Sequence, residues 1–197
     1  MNTNIILASR SSIRSQVLNN AGVAHTVSPA DVDERAIEAG MRGAGAERVA
    51  AALAEAKALA VSRTGAARGA LVIGADQVVE RDGALLGKPA SLAEARARLA
   101  ALAGRPHRLV SAAALARDGA AIWSDAEATV VTMRPYDDAE LDRHLERGAE
   151  AALRSSAGYE IEGLGARLIA RIDGDFFTGL GLPLFPLLDA LRREDAL

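Results

Sequence analysis

Apolar positions fall in short runs that alternate with helical stretches along most of the chain. Asn4–Ala8 is such a run and predicts a strand. Ser11 or Ser12 caps the helix that follows, with Ile13, Val17 and Ala21 on one face and Gly22 as its stop. Val23–Val27 predicts a second strand, broken at Ser28–Pro29, and Asp31-Val-Asp-Glu-Arg35 reads as a charged loop. From about Ala44 to Ser62, the spacing of Val49, Leu53 and Ala60 predicts a long helix. Ala70-Leu-Val-Ile-Gly-Ala75 is the clearest buried strand, and it runs straight into Asp76, which is expected at the end of the sheet.

Arg81-Asp-Gly-Ala84 and Arg117-Asp-Gly-Ala120 predict tight turns. Around the second turn, His107–Leu115 and Ala121–Met133 pair as antiparallel strands. Ser91 with Glu94, and Asp137 with Glu140, have the spacing of helix-capping boxes. Leu92, Ala95, Leu99 and Leu102 line the buried side of the first of these helices, which ends at Gly104; Leu141 and Leu145 follow in the second. Extended apolar pieces lie between Gly158 and Gly181, and Pro183 or Pro186 opens a terminal helix through about Arg193. The order predicts an α/β fold, a mixed sheet with helices on its faces, in one domain over residues 1–197; a groove between two lobes would suit a ligand.

Composition narrows the function classes. Half of the 197 residues are apolar and 25% are charged, which is a globular balance. With no cysteine, disulfide scaffolds, iron–sulfur centres, thiolate zinc sites and cysteine nucleophiles are excluded. His25, His107 and His144 form no HExxH pattern and no close pair. A net charge of −3 and only 3% aromatics argue against binding a nucleic acid polymer. No apolar run reaches the roughly 20 residues that span a bilayer, and no basic region precedes a long apolar segment, so the expectation is a cytoplasmic protein without a membrane association.

Candidate chemistry is carried by a few polar residues. Ser9-Arg-Ser-Ser-Ile-Arg14 lies between strand and helix, where hydroxyls and arginines hold a phosphate or merely cap the helix. The glycines of a Walker loop or a dinucleotide fingerprint are absent. Lys57 sits on or beside an apolar stripe, to snorkel or to reach an anion in a cleft. Asp76 follows a fully apolar strand, and a buried carboxylate there needs a cation, a metal or hydrogen bonds. Gly87-Lys88-Pro89 places Lys88 in a restrained loop, and Asp33 and Glu34 add oxygen ligands that suit Mg2+ or Mn2+. Arg14, Lys57 and Lys88 can neutralise a polyphosphate while Asp76 and Glu34 hold a metal or activate water, the combination that phosphoanhydride hydrolysis needs. Whether Asp76 is general base or metal ligand stays open at this point. His107 reads as an edge-of-sheet histidine and His144 as a surface partner of Glu140. Asp173-Gly-Asp175 forms a turn or a cation site, and Trp123 belongs to core or interface.

The same segments resemble the Maf family of nucleoside triphosphate pyrophosphatases over nearly the whole chain. The likeness rests on Ile6-Leu-Ala-Ser-Arg-Ser-Ser-Ile-Arg14, Val32-Asp-Glu34, Ala56-Lys-Ala58, Gly74-Ala-Asp-Gln-Val78, Gly87-Lys-Pro89, Gly158 to Gly163, Gly174-Asp175 and Gly181-Leu-Pro-Leu184, in that order. It implies cleavage of a nucleoside triphosphate between the α and β phosphates, a divalent cation, a cytoplasmic location and commonly a homodimer. It also implies an elongated mixed sheet with two lobes around a deep cleft, similar to the inosine triphosphate pyrophosphatase fold. The family's proton acceptor falls on Asp76, joined by Lys57 and Lys88 as catalytic cations, by Ser9 and Arg14 toward the substrate, and by Glu34 as a metal ligand beside Asp76.

For the base, the implied readers are positions 13, 77 and 162. Gln77 and Glu162 match the branch similar to 7-methyl-GTP pyrophosphatases, whereas the dTTP/UTP branch carries arginine, threonine and glutamine at the three positions. Ile13 departs from both, because the 7-methyl-GTP branch commonly has tryptophan there, and isoleucine cannot give a cationic purine the same π contact. Ser111-Ala-Ala113 replaces a frequent threonine-glycine. The rival to an enzyme is a non-catalytic, nucleotide-binding regulator of cell division, which could keep the cations and lose Asp76.

Overall fold

Apolar runs and hairpin turns assemble into one seven-stranded mixed sheet in the computed structural model, which describes residues 3–197. In chain order the elements are β1 (Ile5–Leu7), α1 (Ser12–Asn20), β2 (Thr26–Val27), α2 (Glu34–Gly40), α3 (Ala46–Ser62), β3 (Leu71–Arg81), β4 (Ala84–Leu86) and α4 (Leu92–Leu102). They continue with β5 (Pro106–Arg117), β6 (Ala120–Met133), α5 (Asp138–Arg154), β7 (Ile169–Asp173), α6 (Phe176–Gly179) and α7 (Leu184–Arg193). The strands lie in the order β2-β1-β3-β5-β6-β7, with β4 on β3; β1 is parallel to both neighbours and the other pairings are antiparallel. Both predicted turns close hairpins. Asp82 and Gly83 (φ 53° and 79°) join β3 to β4, and Asp118 and Gly119 (φ 49° and 82°) join β5 to β6; paired positive φ matches the twist of the flanking strands.

The two faces of the sheet are covered differently. On one, α3 lays Val49, Leu53, Ala58 and Val61 over Val72, Val110 and Ala114. On the other, α1 and α7 cover Leu71, Ile73 and Leu115 with Val17, Leu18, Leu187 and Leu191. Farther along that second face, α4 and α5 supply Leu99, Leu102 and Leu141 over Val79, Leu109 and Val131. Trp123 is partly buried and packs on the α1–α7 cluster.

Several local expectations are corrected. The acidic segment is not a loop from Glu34 onward: Asp33 caps α2 by accepting from the Ala36 amide at 3.0 Å, and the helix buries none of its residues. The second strand shrinks to Thr26–Val27. Ala21 and Leu92 are exposed, and α1 turns Arg14, Val17 and Leu18 inward instead. Glu140 pairs with Arg134, not with His144. No helix among the described residues is long and apolar enough to cross a membrane.

Candidate active site

The strand β3 continues through Asp76 to Arg81, so Asp76 sits in mid-strand, not at the end of the sheet. What opens the site is the edge beside it. There β1 pairs only with Leu71–Ile73 and β4 only with Val79–Arg81, so residues 74–78, paired with β5 on their other side, have no strand next to them on this one. Strand alternation sends Asp76 to the α3 face and Gln77 to the face covered by α1, α6 and α7. A ligand lodged at this gap reaches both faces of the sheet.

On the α3 face, Lys57 sits between two carboxylates. Its Nζ lies 2.5 Å from Asp76 Oδ1 and 2.7 Å from Glu34 Oε1. Lys57 and Asp76 are both buried, whereas half of the Glu34 side chain is exposed. Snorkelling is therefore not what Lys57 does; it neutralises a carboxylate that could not otherwise be buried. Burial pushes the Glu34 pKa up, but the hydrogen bond and charge of Lys57, with the charges of Lys88 and Arg14, outweigh it and hold the carboxyl below its ordinary value. All three expected cations thus act on one carboxylate.

Arg14 is buried and largely committed to the protein. Its Nε donates to the Gly181 carbonyl at 2.7 Å, and Nη1 donates to Ser9 Oγ at 3.0 Å and to the Ala75 carbonyl at 2.9 Å. Ser9 Oγ also accepts from the Ser11 amide at 3.3 Å, and Ser11 caps α1 by accepting from the Arg14 amide. One guanidinium therefore ties α1, the open edge of β3 and the α6–α7 segment together, and its Nη2 makes no hydrogen bond among the described residues. Burial lowers its pKa, opposed by the charges of Asp76 and Glu34.

Lys88 is exposed on its loop. Pro89 beside it is buried, and Arg98 Nη1 donates to the carbonyls of Gly87 and Ser156, which pins the loop. Ile13 packs partly buried against the α1–α7 cluster, next to Arg14. Gln77 donates to Ser111 Oγ and to the carbonyls of Thr178 and Gly179. Glu162 is exposed, with no hydrogen bond or ion pair to the other site residues; its neighbour Ile161 abuts Gly179. The expected residues thus form a charged group (Glu34, Lys57, Asp76, Arg14, with Lys88 in electrostatic reach) and a Gln77 group on the other face, with Glu162 outside both.

Sequence reasoning missed Thr178, Arg98 and Glu38. Thr178 lies in the glycine-rich stretch, where no periodicity marks a helix; Asp175 caps α6 by accepting from the Thr178 amide at 2.8 Å, which makes it a cap and not a cation ligand. Glu38 falls one helical turn after Glu34, a spacing visible only once α2 is known to be a helix. Burial, Asp76 and Glu34 raise its pKa against Arg35 and Lys57. His107 is not at an edge: it is 3% exposed, and its Nε2 lies 2.7 Å from Tyr159 Oη.

Among the described residues no three His, Asp or Glu side chains stand close enough to cage a metal ion alone. Two carboxylates, with Asp76 Oδ2 and Glu34 Oε2 outside the Lys57 contacts, nevertheless fit a hard cation that takes its remaining ligands from phosphate oxygens and water.

Comparison with known proteins finds relatives over nearly the whole chain. The family model described as Maf-like protein matches residues 4–194. A nucleoside triphosphate pyrophosphatase of Caulobacter vibrioides is 48% identical over 197 residues, which cover 99% of this chain and 98% of that protein. A 7-methyl-GTP pyrophosphatase of Brucella abortus is 44% identical over 196 residues, 98% of each chain. A solved dITP/XTP pyrophosphatase from Mycobacterium abscessus overlays with a TM-score of 0.40 at 20% identity, covering 66% of this chain and 73% of that one, a likeness too loose to carry functional weight.

Proposed function

The chain belongs to the Maf family, and from that premise we propose a pyrophosphatase that prefers 7-methyl-GTP and works through Asp76, Lys57 and Lys88. The general reaction, nucleoside triphosphate and water to nucleoside monophosphate and pyrophosphate, follows from the family and from relatives at 44–48% identity. The protein is an enzyme, and the non-catalytic regulator is set aside.

One observation carries the assignment of residues: Lys57 bridges Asp76 and Glu34, while the charge of Arg14 bears on both carboxylates and that of Lys88 on Glu34. A triphosphate brings about four negative charges at neutral pH, and Arg14, Lys88 and a bound divalent cation beside the open sheet edge would offset part of them. In our reading, water attacks the α phosphorus, the bond from that phosphorus to the α–β bridging oxygen breaks, and pyrophosphate leaves with that oxygen. Asp76 takes the proton that the attacking water loses and passes it to solvent. Lys57 holds the Asp76 carboxylate oriented for this, and Lys88 and Arg14 Nη2 meet phosphate oxygens. Glu34 and Asp76 would hold Mg2+ or Mn2+, which supplies charge neutralisation of the phosphates.

The preference for 7-methyl-GTP is supported by Gln77 and by the Brucella relative, a 7-methyl-GTP pyrophosphatase; Ile13 offers no π face to the base, and dTTP or UTP is the second reading. Glu162 comes to the base only if the loop carrying it bends over Gly179. The deep cleft between two lobes belongs to the same proposal, with the nucleotide at the gap between β1 and β4. So do the cytoplasmic location and the homodimer, which cell fractionation and light scattering test.

The deciding experiment is a panel of canonical and modified nucleoside triphosphates with Mg2+ or Mn2+, with nucleotide product and released phosphate species both quantified. Monophosphate with pyrophosphate is the expected result, 7-methyl-GTP giving the highest kcat/KM. Diphosphate with orthophosphate would mean β–γ cleavage and overturn the reading.

A further inference from the structure

We infer that Gln77 meets the substrate base through its carbonyl oxygen alone, which selects nucleobases carrying a ring N–H on the Watson–Crick edge. The inference rests on the nucleotide reading above and adds the chemical class of base.

The amide of Gln77 is held in one orientation. Its Nε2 lies 3.0 Å from Ser111 Oγ, 3.2 Å from the Thr178 carbonyl and 3.0 Å from the Gly179 carbonyl. Backbone carbonyls accept and never donate, so nitrogen has to face them. A flipped amide would set Oε1 against two carbonyl oxygens with no proton between, and this holds however the two amide atoms are assigned. Ser111 is fully buried and spends its own hydroxyl proton on the Thr178 carbonyl at 2.7 Å, so toward Gln77 it can only accept. Three acceptors thus share two N–H protons, and the side chain cannot turn.

The platform behind it is braced as well. Thr178 Oγ1 donates to Glu127 Oε2 at 2.9 Å, and Thr129 Oγ1 donates to the Asp175 carbonyl at 2.6 Å, fastening α6 to β6. Oε1 is the pole left over. Gln77 is only half-buried, and among the described residues its Oε1 has no hydrogen-bond partner and is not sealed from solvent. It belongs to the residue after Asp76, at the gap in the sheet edge, so phosphates at Asp76 and a base at Gln77 can belong to one molecule.

An acceptor fixed in this way distinguishes two classes of base. Guanine and hypoxanthine carry N1–H, and uracil and thymine carry N3–H. Adenine N1 and cytosine N3 present a lone pair at the same ring position. The first class donates to Oε1; the second sets lone pair against lone pair. A residue with a rotating hydroxyl could adapt to either, whereas this amide cannot.

The test compares donor-bearing nucleotides with ring-methylated counterparts, GTP against N1-methyl-GTP and UTP against N3-methyl-UTP, with ATP and CTP alongside. Wild-type protein is expected to lose at least about tenfold in kcat/KM on ring methylation, and to disfavour ATP and CTP to a similar degree. In Gln77→Met, which keeps the length and removes the oxygen, the methylation penalty is expected to fall below about twofold. Equal turnover of methylated and unmethylated nucleotides by the wild type would overturn the inference, as would a penalty that persists undiminished in the variant. Affinities of α,β-methylene analogues give the same comparison without chemistry. Absence of turnover with every triphosphate, together with an N–H dependence of those affinities, would overturn the hydrolytic reading and leave the recognition standing.

Discussion

A Cβ on Gly74 would stand 2.0 Å from the carbonyl oxygen of Ala54 and 2.6 Å from the nitrogen of Ala58. Helix α3 therefore rests on β3 at backbone contact. Lys57 lies between those two alanines in sequence, and Asp76 lies two residues beyond the glycine on the same face. The 2.5 Å approach of Lys57 to Asp76 depends on a missing side chain elsewhere.

Gly74→Ala tests that dependence. One methyl has to push a helix and a strand apart, and overpacking of this kind costs about 1–3 kcal/mol. The urea midpoint is expected to fall accordingly, and kcat with it, because Lys57 moves with its helix. A variant with wild-type stability and turnover would mean that α3 and β3 are not in backbone contact.

Asp76→Asn removes the charge while keeping an oxygen for Lys57. The expected result is a loss of about 10²–10⁴ in kcat, the range for a general base, with an unchanged far-ultraviolet circular dichroism spectrum. Pyrophosphate release within twofold of wild type would take Asp76 out of the reaction.

Lys88→Ala separates binding from folding. Because Lys88 is exposed, its removal is expected to leave the melting temperature within about 1 °C. A lost charge-assisted contact to phosphate is expected to raise KM roughly tenfold. Steady-state kinetics showing an unaltered KM would place the loop away from the substrate.

His107 makes stability depend on pH. Burial, with the charge of Arg81, lowers its pKa from 6.5 to about 4. The folded state therefore favours the neutral ring, and between those values the unfolded chain binds more protons. The stabilisation is complete above about pH 6.5 and is lost as pH falls toward 4, amounting to about 3 kcal/mol over the window. Chemical denaturation at pH 4.5 and pH 7 measures it, and His107→Phe is expected to flatten the difference. A wild-type stability equal at the two pH values would show that the imidazole is not buried.

How much of this could be read from residues alone varied with the kind of force involved. The α3 helix and the β5–β6 hairpin were legible because their apolar spacing and their Asp-Gly turns act locally. Helix α2 was not, because only Ile37 of it packs, partly buried, on the core, and a single apolar position makes no stripe to betray it. The end of β3 was misplaced for a related reason: Asp76 and Gln77 look like the close of an apolar strand until Lys57 and the α6 carbonyls are seen to satisfy them. His107 reads as an edge residue until Tyr159, 52 positions away, supplies its partner. The charged residues of the site were legible by type and order; the clamp role of Arg14 and the fixed amide of Gln77 arise from backbone carbonyls, which every residue has and no motif marks.

The five residues of β3 between β1 and β4 are paired with β5 on one side and leave the other edge without a strand; among the described residues the Ala75 carbonyl is the group claimed there, by Arg14. A nucleotide bound at the proposed site would lie against this open edge. Occupancy and cohesion of the sheet then become one equilibrium: a nucleotide analogue at a hundred times its dissociation constant adds about 2.7 kcal/mol to the native state. The protein's resistance to heat thereby becomes a gauge of nucleotide supply.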